Sequence, residues 1–296
     1  MSHDVSSRFA WIRTLLWLVR RELWEHPAVY LAPAAVAVFA SLAQFASSLS
    51  TGDGRRDATL AGAEGSVPFA VHYQISIGVL VITSLLVGAL YCLEALQGER
   101  RDRSILFWKS MPVSDLQTVL SKLAIPALVM PMVVLTLAVS MNLLMVALQS
   151  LAWIMTGYDP RELWSRLDLV WLWAALCYGL PFIALWYAPL WGWLLLVSAW
   201  ARRAALLWAL APFAAFLIME HMVLAHSHIH WALERWLGGG VIQPYTIGGD
   251  GRSWIDGPAD LQPWRLPTLP QLWVGLAAAA LLIVLSVRVR RARAPN

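Results

Sequence analysis

The chain has 296 residues and a mass of 32.9 kDa; 59% of the residues are hydrophobic and only 14% are charged. A soluble domain carries roughly 25% charged residues, so this chain lacks the polar surface that a water-exposed fold needs. Its net charge of +4 and mean hydropathy of +0.61 instead indicate an integral membrane protein whose basic residues set its orientation, and no nucleic-acid-binding motif accompanies them.

The chain begins with an amphipathic stretch over residues 8–26. Its apolar residues recur at helical spacing, while Arg13, Arg20 and Arg21 fall on the opposite side. This pattern is typical of a helix that lies in the membrane interface. Pro27 is expected to end this elbow helix.

Six apolar stretches follow, each long enough to cross a hydrocarbon core about 30 Å thick as an α-helix. They lie at about residues 28–48, 73–93, 123–148, 170–199, 204–225 and 270–287. The third and fourth runs are longer than one crossing requires, and we interpret each as a single span with an overhang, although Gly179 and Pro181 could break the fourth. The predicted fold is an all-α integral membrane protein with six transmembrane helices and the elbow helix, forming a single domain over residues 1–296.

Basic residues indicate the orientation of these spans. With both termini in the cytoplasm, most of the 22 Lys and Arg residues fall on the cytoplasmic side, as the positive-inside rule requires. Residues 226–270 then form the longest segment on the outer side, and no soluble catalytic domain fits there.

The most informative segment is the predicted cytoplasmic loop at residues 97–118, between the second and third spans. A charged stretch is followed by an apolar run, a Met-Pro-Val-Ser turn and a new helix that Ser114 can cap. The charged stretch contains Glu99, Arg100, Arg101, Asp102 and Arg103. The apolar run and the turn contain Ile105, Leu106, Phe107, Trp108, Met111, Pro112, Val113 and Ser114. Such an amphipathic element on the inner membrane face is suited to be bound and moved by a soluble partner.

In this loop the sequence resembles the permease subunits of ABC-2 type exporters, whose second and third spans are joined by Glu-Arg, a small residue, an apolar run, Leu-Pro-Val-Ser, a helix and a Lys. This chain has Met111 where Leu is usual and Arg103 where Gly is common in that pattern. The six spans, the elbow helix and the outer segment before the last span resemble the family in outline.

The resemblance implies a coupling helix that docks on a separate ATP-binding subunit. The charged stretch would make charged contacts with that subunit, and residues 105–114 would supply the docking surface. ATP and Mg²⁺ would be bound by the partner. The resemblance also implies that this chain pairs with a second copy or a related permease in the lipid of the bacterial inner membrane.

The chain itself lacks the common motif for ATP hydrolysis. A P-loop reads G-x-x-x-x-G-K-[ST], and neither Lys109 nor Lys122 follows a glycine. We therefore expect a non-catalytic transport subunit without a cofactor of its own, powered by another chain.

Ionisable residues near the outer end of the fifth span leave alternatives open. Glu220 and His221 either line a substrate path or mark the membrane boundary, and we favour the boundary because the polar segment at His226 follows closely. His226, His228 and His230, with His221 and Glu234, are also candidate metal ligands, and an intramembrane or metal-dependent enzyme would use Glu220, His221 and this histidine cluster. No H-E-x-x-H motif or cysteine ligand accompanies them. A structural membrane subunit is the third alternative. The sequence specifies no transported substrate.

Overall fold

The computed structural model describes residues 2–50, 69–101, 113–165, 167–219, 236, 238–240, 261 and 267–292. In chain order its helices are α1 (Ser2–Glu25), α2 (Ala28–Ser50), α3 (Phe69–Arg101), α4 (Asp115–Ala124), α5 (Met130–Met155), α6 (Pro160–Ser165), α7 (Leu169–Trp186), α8 (Ala188–Trp200), α9 (Ala205–Met219) and α10 (Pro270–Ala292). A π-helical turn, Ile125–Val129, joins α4 to α5. The described part of the chain is thus almost entirely helical, as the hydropathy pattern predicts.

Five helical segments within the described residues are long and apolar enough to cross a membrane. They are Ala28–Leu49, Val71–Glu99, Asp115–Met155, Pro160–Trp186 and Pro270–Ala292. The predicted all-α, multi-pass membrane architecture is confirmed at this level. The fifth predicted span, 204–225, is described only as far as Met219, and α9 with its 15 residues is shorter than a full crossing.

The fourth predicted span differs from the expectation of one helix with an overhang. It is divided at Tyr187 into α7 and α8. Gly179 and Pro181, where the sequence allows a break, both lie inside α7. The break follows from Pro189 at the start of α8, because proline has no N–H to donate and its ring crowds the carbonyl group four residues earlier.

Helix α4 begins with a capping box, so the cap predicted at Ser114 is confirmed. The Ser114 hydroxyl accepts a hydrogen bond from the backbone N–H of Gln117 at 3.1 Å, and the Gln117 carboxamide accepts one from the backbone N–H of Ser114 at 3.0 Å. The helix then passes through the π-helical turn, which contains Pro126, into α5. Such π turns within helices are frequent at functional sites.

Two glycines allow close helix packing around α8. A Cβ atom added to Gly88 of α3 would lie 2.9 Å from Met130 Sδ of α5 and 3.4 Å from the Trp191 ring of α8. A Cβ atom added to Gly192 of α8 would lie 3.1 Å from Leu282 Cβ of α10. Small residues at such positions let helix backbones approach each other within a membrane. As a result, α8 packs against both α3 and α10.

Some buried polar side chains within the bundle bond to a neighbouring helix, and others bond within their own helix. The Tyr73 hydroxyl of α3 donates to the Gln149 side-chain oxygen of α5, which joins two helices. Ser41, Ser84 and Ser286 donate instead to the carbonyl group four residues earlier in their own helix. These three hydroxyl bonds stay within one helix and join no neighbours.

Candidate functional site

Five charged side chains from four helices meet at one end of the bundle. This ion-pair cluster consists of Glu22 of α1, Glu99 of α3, Asp115 and Lys122 of α4, and Arg290 of α10. All except Asp115 are buried, with at most 7% of the residue surface exposed. Because α3 ends and α4 begins on the two sides of the predicted loop, the cluster lies at the base of the segment that the sequence identifies as most informative.

Lys122 connects the elbow helix to the last turn of α3. Its Nζ atom lies 2.9 Å from Glu22 Oε1 and 3.0 Å from Glu99 Oε1. Its side chain is only 2% exposed, so the ammonium group exchanges water for these two carboxylates. An ammonium group carries three donors, which allows it to serve two carboxylates at once.

Arg290 connects α10 to both sides of the loop. Its Nη1 atom lies 2.8 Å from Glu99 Oε2, and its Nε atom lies 3.0 Å from Asp115 Oδ1. The planar guanidinium group, with donors along two edges, suits a position between two carboxylates. Arg291, which is exposed, lies 3.7 Å from the other Asp115 oxygen.

The second oxygen of Glu22 is also engaged. The Tyr91 hydroxyl of α3 donates to Glu22 Oε2 at 2.8 Å. The His26 ring packs edge-on against Tyr91, with the ring centroids 5.1 Å apart, and its Nε2 atom lies 3.9 Å from the same carboxylate oxygen. The carboxylate of α1 is therefore held on one side by α4 and on the other by α3.

A buried charge cluster of this kind is costly to disrupt. A buried ion network is often no more stabilising than well-packed apolar residues of the same volume, but removing one partner costs about 3–5 kcal/mol because it leaves a charge uncompensated. The three carboxylates are balanced by Lys122, Arg290 and the peripheral Arg291. A different arrangement of these four helix ends must form new ion pairs or expose the charges to water, so the network favours discrete arrangements over gradual deformation.

A metal centre is a different interpretation of part of this region. Among the described residues, Glu22, Glu25 and His26 offer ligand atoms within 4.8 Å of one another. Both carboxylates already have cationic partners, however: Glu22 faces Lys122, and Glu25 accepts two hydrogen bonds from Arg21 at 2.6 and 2.9 Å. A divalent ion would have to displace both cations, so we assign these residues to ion pairs.

The structure describes four side chains of the predicted coupling set. Glu99 is buried in the ion-pair cluster, a position that the sequence alone does not predict. Arg101 is exposed at the end of α3, with 70% of its side chain accessible and Glu94 at 3.6 Å. Val113 is half-buried, and the exposed Ser114 caps α4.

The remaining predicted residues lie outside the described side chains. For Arg100 only the helical backbone is described. No position is described for Asp102, Arg103, residues 105–108 with Phe107 and Trp108, Met111, Pro112, Glu220, His221, His226, His228 and His230. The coupling and pathway roles of these residues therefore stay predictions.

Several members of the cluster are absent from the predicted set. Glu22 had a usable signal, because it shares a helix face with Leu15 and Leu18, where an acidic residue is out of place. Arg290 had no such sequence signal, because it belongs to a basic run that is typical of a cytoplasmic flank and nothing local distinguishes it from its neighbours.

Comparisons with models of protein families, with curated proteins and with solved structures found no match for this chain. The fold and the site define a multi-pass, all-α membrane protein in which buried ion pairs join four helix ends.

Proposed function

We propose that this chain is the permease subunit of an ATP-driven exporter of the ABC-2 type. In this proposal, residues 97–118 dock on a separate ATP-binding subunit and pass its movement to the membrane spans. The observation that carries the proposal is the ion-pair cluster, because it joins both ends of this loop to the elbow helix and to the last span.

The cluster explains how a force on the loop would reach the spans. The loop leaves α3 after Arg101 and enters α4 at Asp115. Since Lys122 clamps α4 to α1 and α3, and Arg290 clamps α10 to α3 and α4, a push on the loop moves four helix ends together. The π-helical turn beyond α4 supplies a place where this end can shift relative to α5.

The separate roles of this chain and of its partners follow from the same arrangement. The cluster and the loop lie in the cytoplasm, and both termini lie on that side. The partner binds ATP and Mg²⁺ and supplies the energy, whereas this chain supplies half of the path and a second permease supplies the other half. The charged groups of the cluster hold the four helix ends together and transmit their movement, and none of these groups is required to make or break a covalent bond.

Affinity purification of the full chain from its native membranes tests the docking step. We expect a P-loop ATPase to copurify with the wild-type chain, and Arg101→Glu combined with Arg103→Glu to weaken this association at least about tenfold, because one tenfold step corresponds to only about 1.4 kcal/mol.

The matched control replaces Arg202 and Arg203 by Glu. Both are exposed, both lie in the turn between α8 and α9, and the charge change is the same. Equal loss in the control, or a wild-type chain that brings no nucleotide-hydrolysing partner, would contradict the proposal and favour a structural subunit.

A further inference from the structure

Ser198 of α8 makes a contact that the ion-pair cluster does not explain. Its hydroxyl oxygen accepts hydrogen bonds from the backbone N–H groups of Leu96 and Gln97, two successive residues of α3, each at 3.0 Å. Ser198 is fully buried and lies in the last turn of α8. A single side-chain oxygen therefore connects the main chain of α3 to α8.

This bonding pattern is unusual inside a helix. In a regular α-helix the N–H groups of Leu96 and Gln97 bond to the carbonyl groups of Cys92 and Leu93. A side chain that inserts beside this ladder is one of the identifiable causes of a helix bend. The buried hydroxyls of Ser41, Ser84 and Ser286 bond within their own helices, so burial of a serine does not by itself produce such a link.

The contact lies at a mechanically important position. Residues 97–101 form a short lever between Ser198 and the loop, and Gly98 lies within it. Glu99, in the middle of this lever, is held by its pairs with Lys122 and Arg290. Movement at the loop end therefore pulls directly on the two hydrogen bonds to α8.

Helix α8 is able to carry this movement further. Helix α8 runs parallel to α10, because the contacts between them advance in the same chain direction. A Cβ atom added to Gly275 of α10 would lie 3.6 Å from Pro189 of α8, and one added to Gly192 of α8 would lie 3.1 Å from Leu282 of α10. The end of α8 that carries Ser198 leads through a short turn into α9.

We propose that Ser198 is a positioning residue, which ties the coupling end of α3 to α8 so that movement entering at the loop is passed to α8. The source of the movement rests on the proposed function. The tie between α3 and α8 does not, and it is tested without any partner.

The first experiment measures the distance between spin labels at Arg101 and Arg202 in the full chain. Both residues are exposed. The labels are introduced as Arg101→Cys and Arg202→Cys in a chain carrying Cys177→Ser, and the buried Cys92 is left in place.

Ser198→Ala is expected to shift or broaden this distance by about 3 Å. Arg101 lies about 7.5 Å along the helix from Leu96, and a change in helix direction of about 20° moves the end of a segment of this length by about 3 Å. Ser198→Cys, which has a similar volume but a weak acceptor, should act in the same way. Ser41→Ala removes an equally buried hydroxyl and should leave the distance unchanged. If both Ser198 variants keep the wild-type distribution within about 1 Å, well below that lever movement, the tie is refuted.

The second experiment uses the complex with the copurified ATP-binding subunit, with and without Mg-ATP and orthovanadate. Label pairs at Glu94/Met132 and at Arg202/Met132 report the movement of α3 and of α8 relative to the exposed Met132 on α5, which lies beyond the π-helical turn and outside the ion-pair cluster. In the wild type both distances should respond to nucleotide. In the Ser198→Ala variant the α3 distance should still respond to nucleotide, whereas the α8 distance should lose most of its response.

An unchanged response of both pairs in Ser198→Ala overturns the positioning role. A wild-type chain without an ATP-binding partner overturns the proposed function instead, and the first experiment then decides whether Ser198 holds α3 on α8.

Discussion

Replacement of Lys122 by methionine removes the cation that joins α1 to α3 but keeps a side chain of similar length. Glu22 and Glu99 then lose an ammonium group that lies 2.9 and 3.0 Å from them. Glu99 keeps Arg290 at 2.8 Å, whereas Glu22 keeps the Tyr91 hydroxyl and the more distant His26 ring. Glu22 is therefore the carboxylate that Lys122→Met leaves without adequate compensation.

The magnitude follows from the burial of Glu22. It is 2% exposed, so its carboxylate cannot regain water unless α1 moves away from α4. Removing one partner of a buried ion pair lowers the free energy of unfolding by about 3–5 kcal/mol. Adding Glu22→Gln removes the uncompensated charge, and we expect the double variant to recover about 2–3 kcal/mol of that loss.

Thermal unfolding of the purified chain in one detergent measures these differences through the fluorescence of its 18 tryptophans. The Lys122→Met variant should lower the unfolding midpoint by roughly 10 °C. The control is Arg21→Met, which breaks the exposed pair with Glu25 on α1 and should cost less than about 1 kcal/mol. A Lys122→Met variant as stable as the control, or one that Glu22→Gln does not rescue, would refute the view that charge compensation holds α1 in place.

Three further sets of variants test the helix packing, the start of α4 and one hydrogen bond between helices. Gly192→Leu should push α8 away from α10 and lower the free energy of unfolding by about 1–3 kcal/mol. Gly78→Leu is the control, because Gly78 has open space around it and the change should not lower the free energy of unfolding. Equal losses in the same thermal assay would contradict this packing. Ser114→Ala should cost about 1 kcal/mol because the capping box is lost, and Ser114→Asp, which also caps, should retain most of the stability. Tyr73→Phe and Gln149→Leu should each cost about 1 kcal/mol, and a double variant that loses the full sum would argue against the hydrogen bond between them.

The membrane character and the approximate positions of the described spans could be predicted from the sequence. In a hydrocarbon core, the backbone groups of a long apolar run must bond within that run, so its helical state depends little on its neighbours. The cap at Ser114 was predictable for a similar reason, because its partner Gln117 lies only three residues away. The break at Tyr187 was not predicted, because Gly179 and Pro181 are also plausible sites and the sequence does not rank them against Pro189.

The ion-pair cluster and the Ser198 contact were decided by the tertiary structure. Glu22 and Lys122 are 100 positions apart, and Glu99 and Arg290 are 191 positions apart. In the sequence Glu99, Lys122 and Arg290 resemble ordinary charged flanks of membrane spans, because hydropathy describes each segment separately, and Glu22 is marked only by the apolar helix face on which it lies. Which charges become buried partners depends on which helix ends meet, and close packing at positions such as Gly88 and Gly192 brings those ends together.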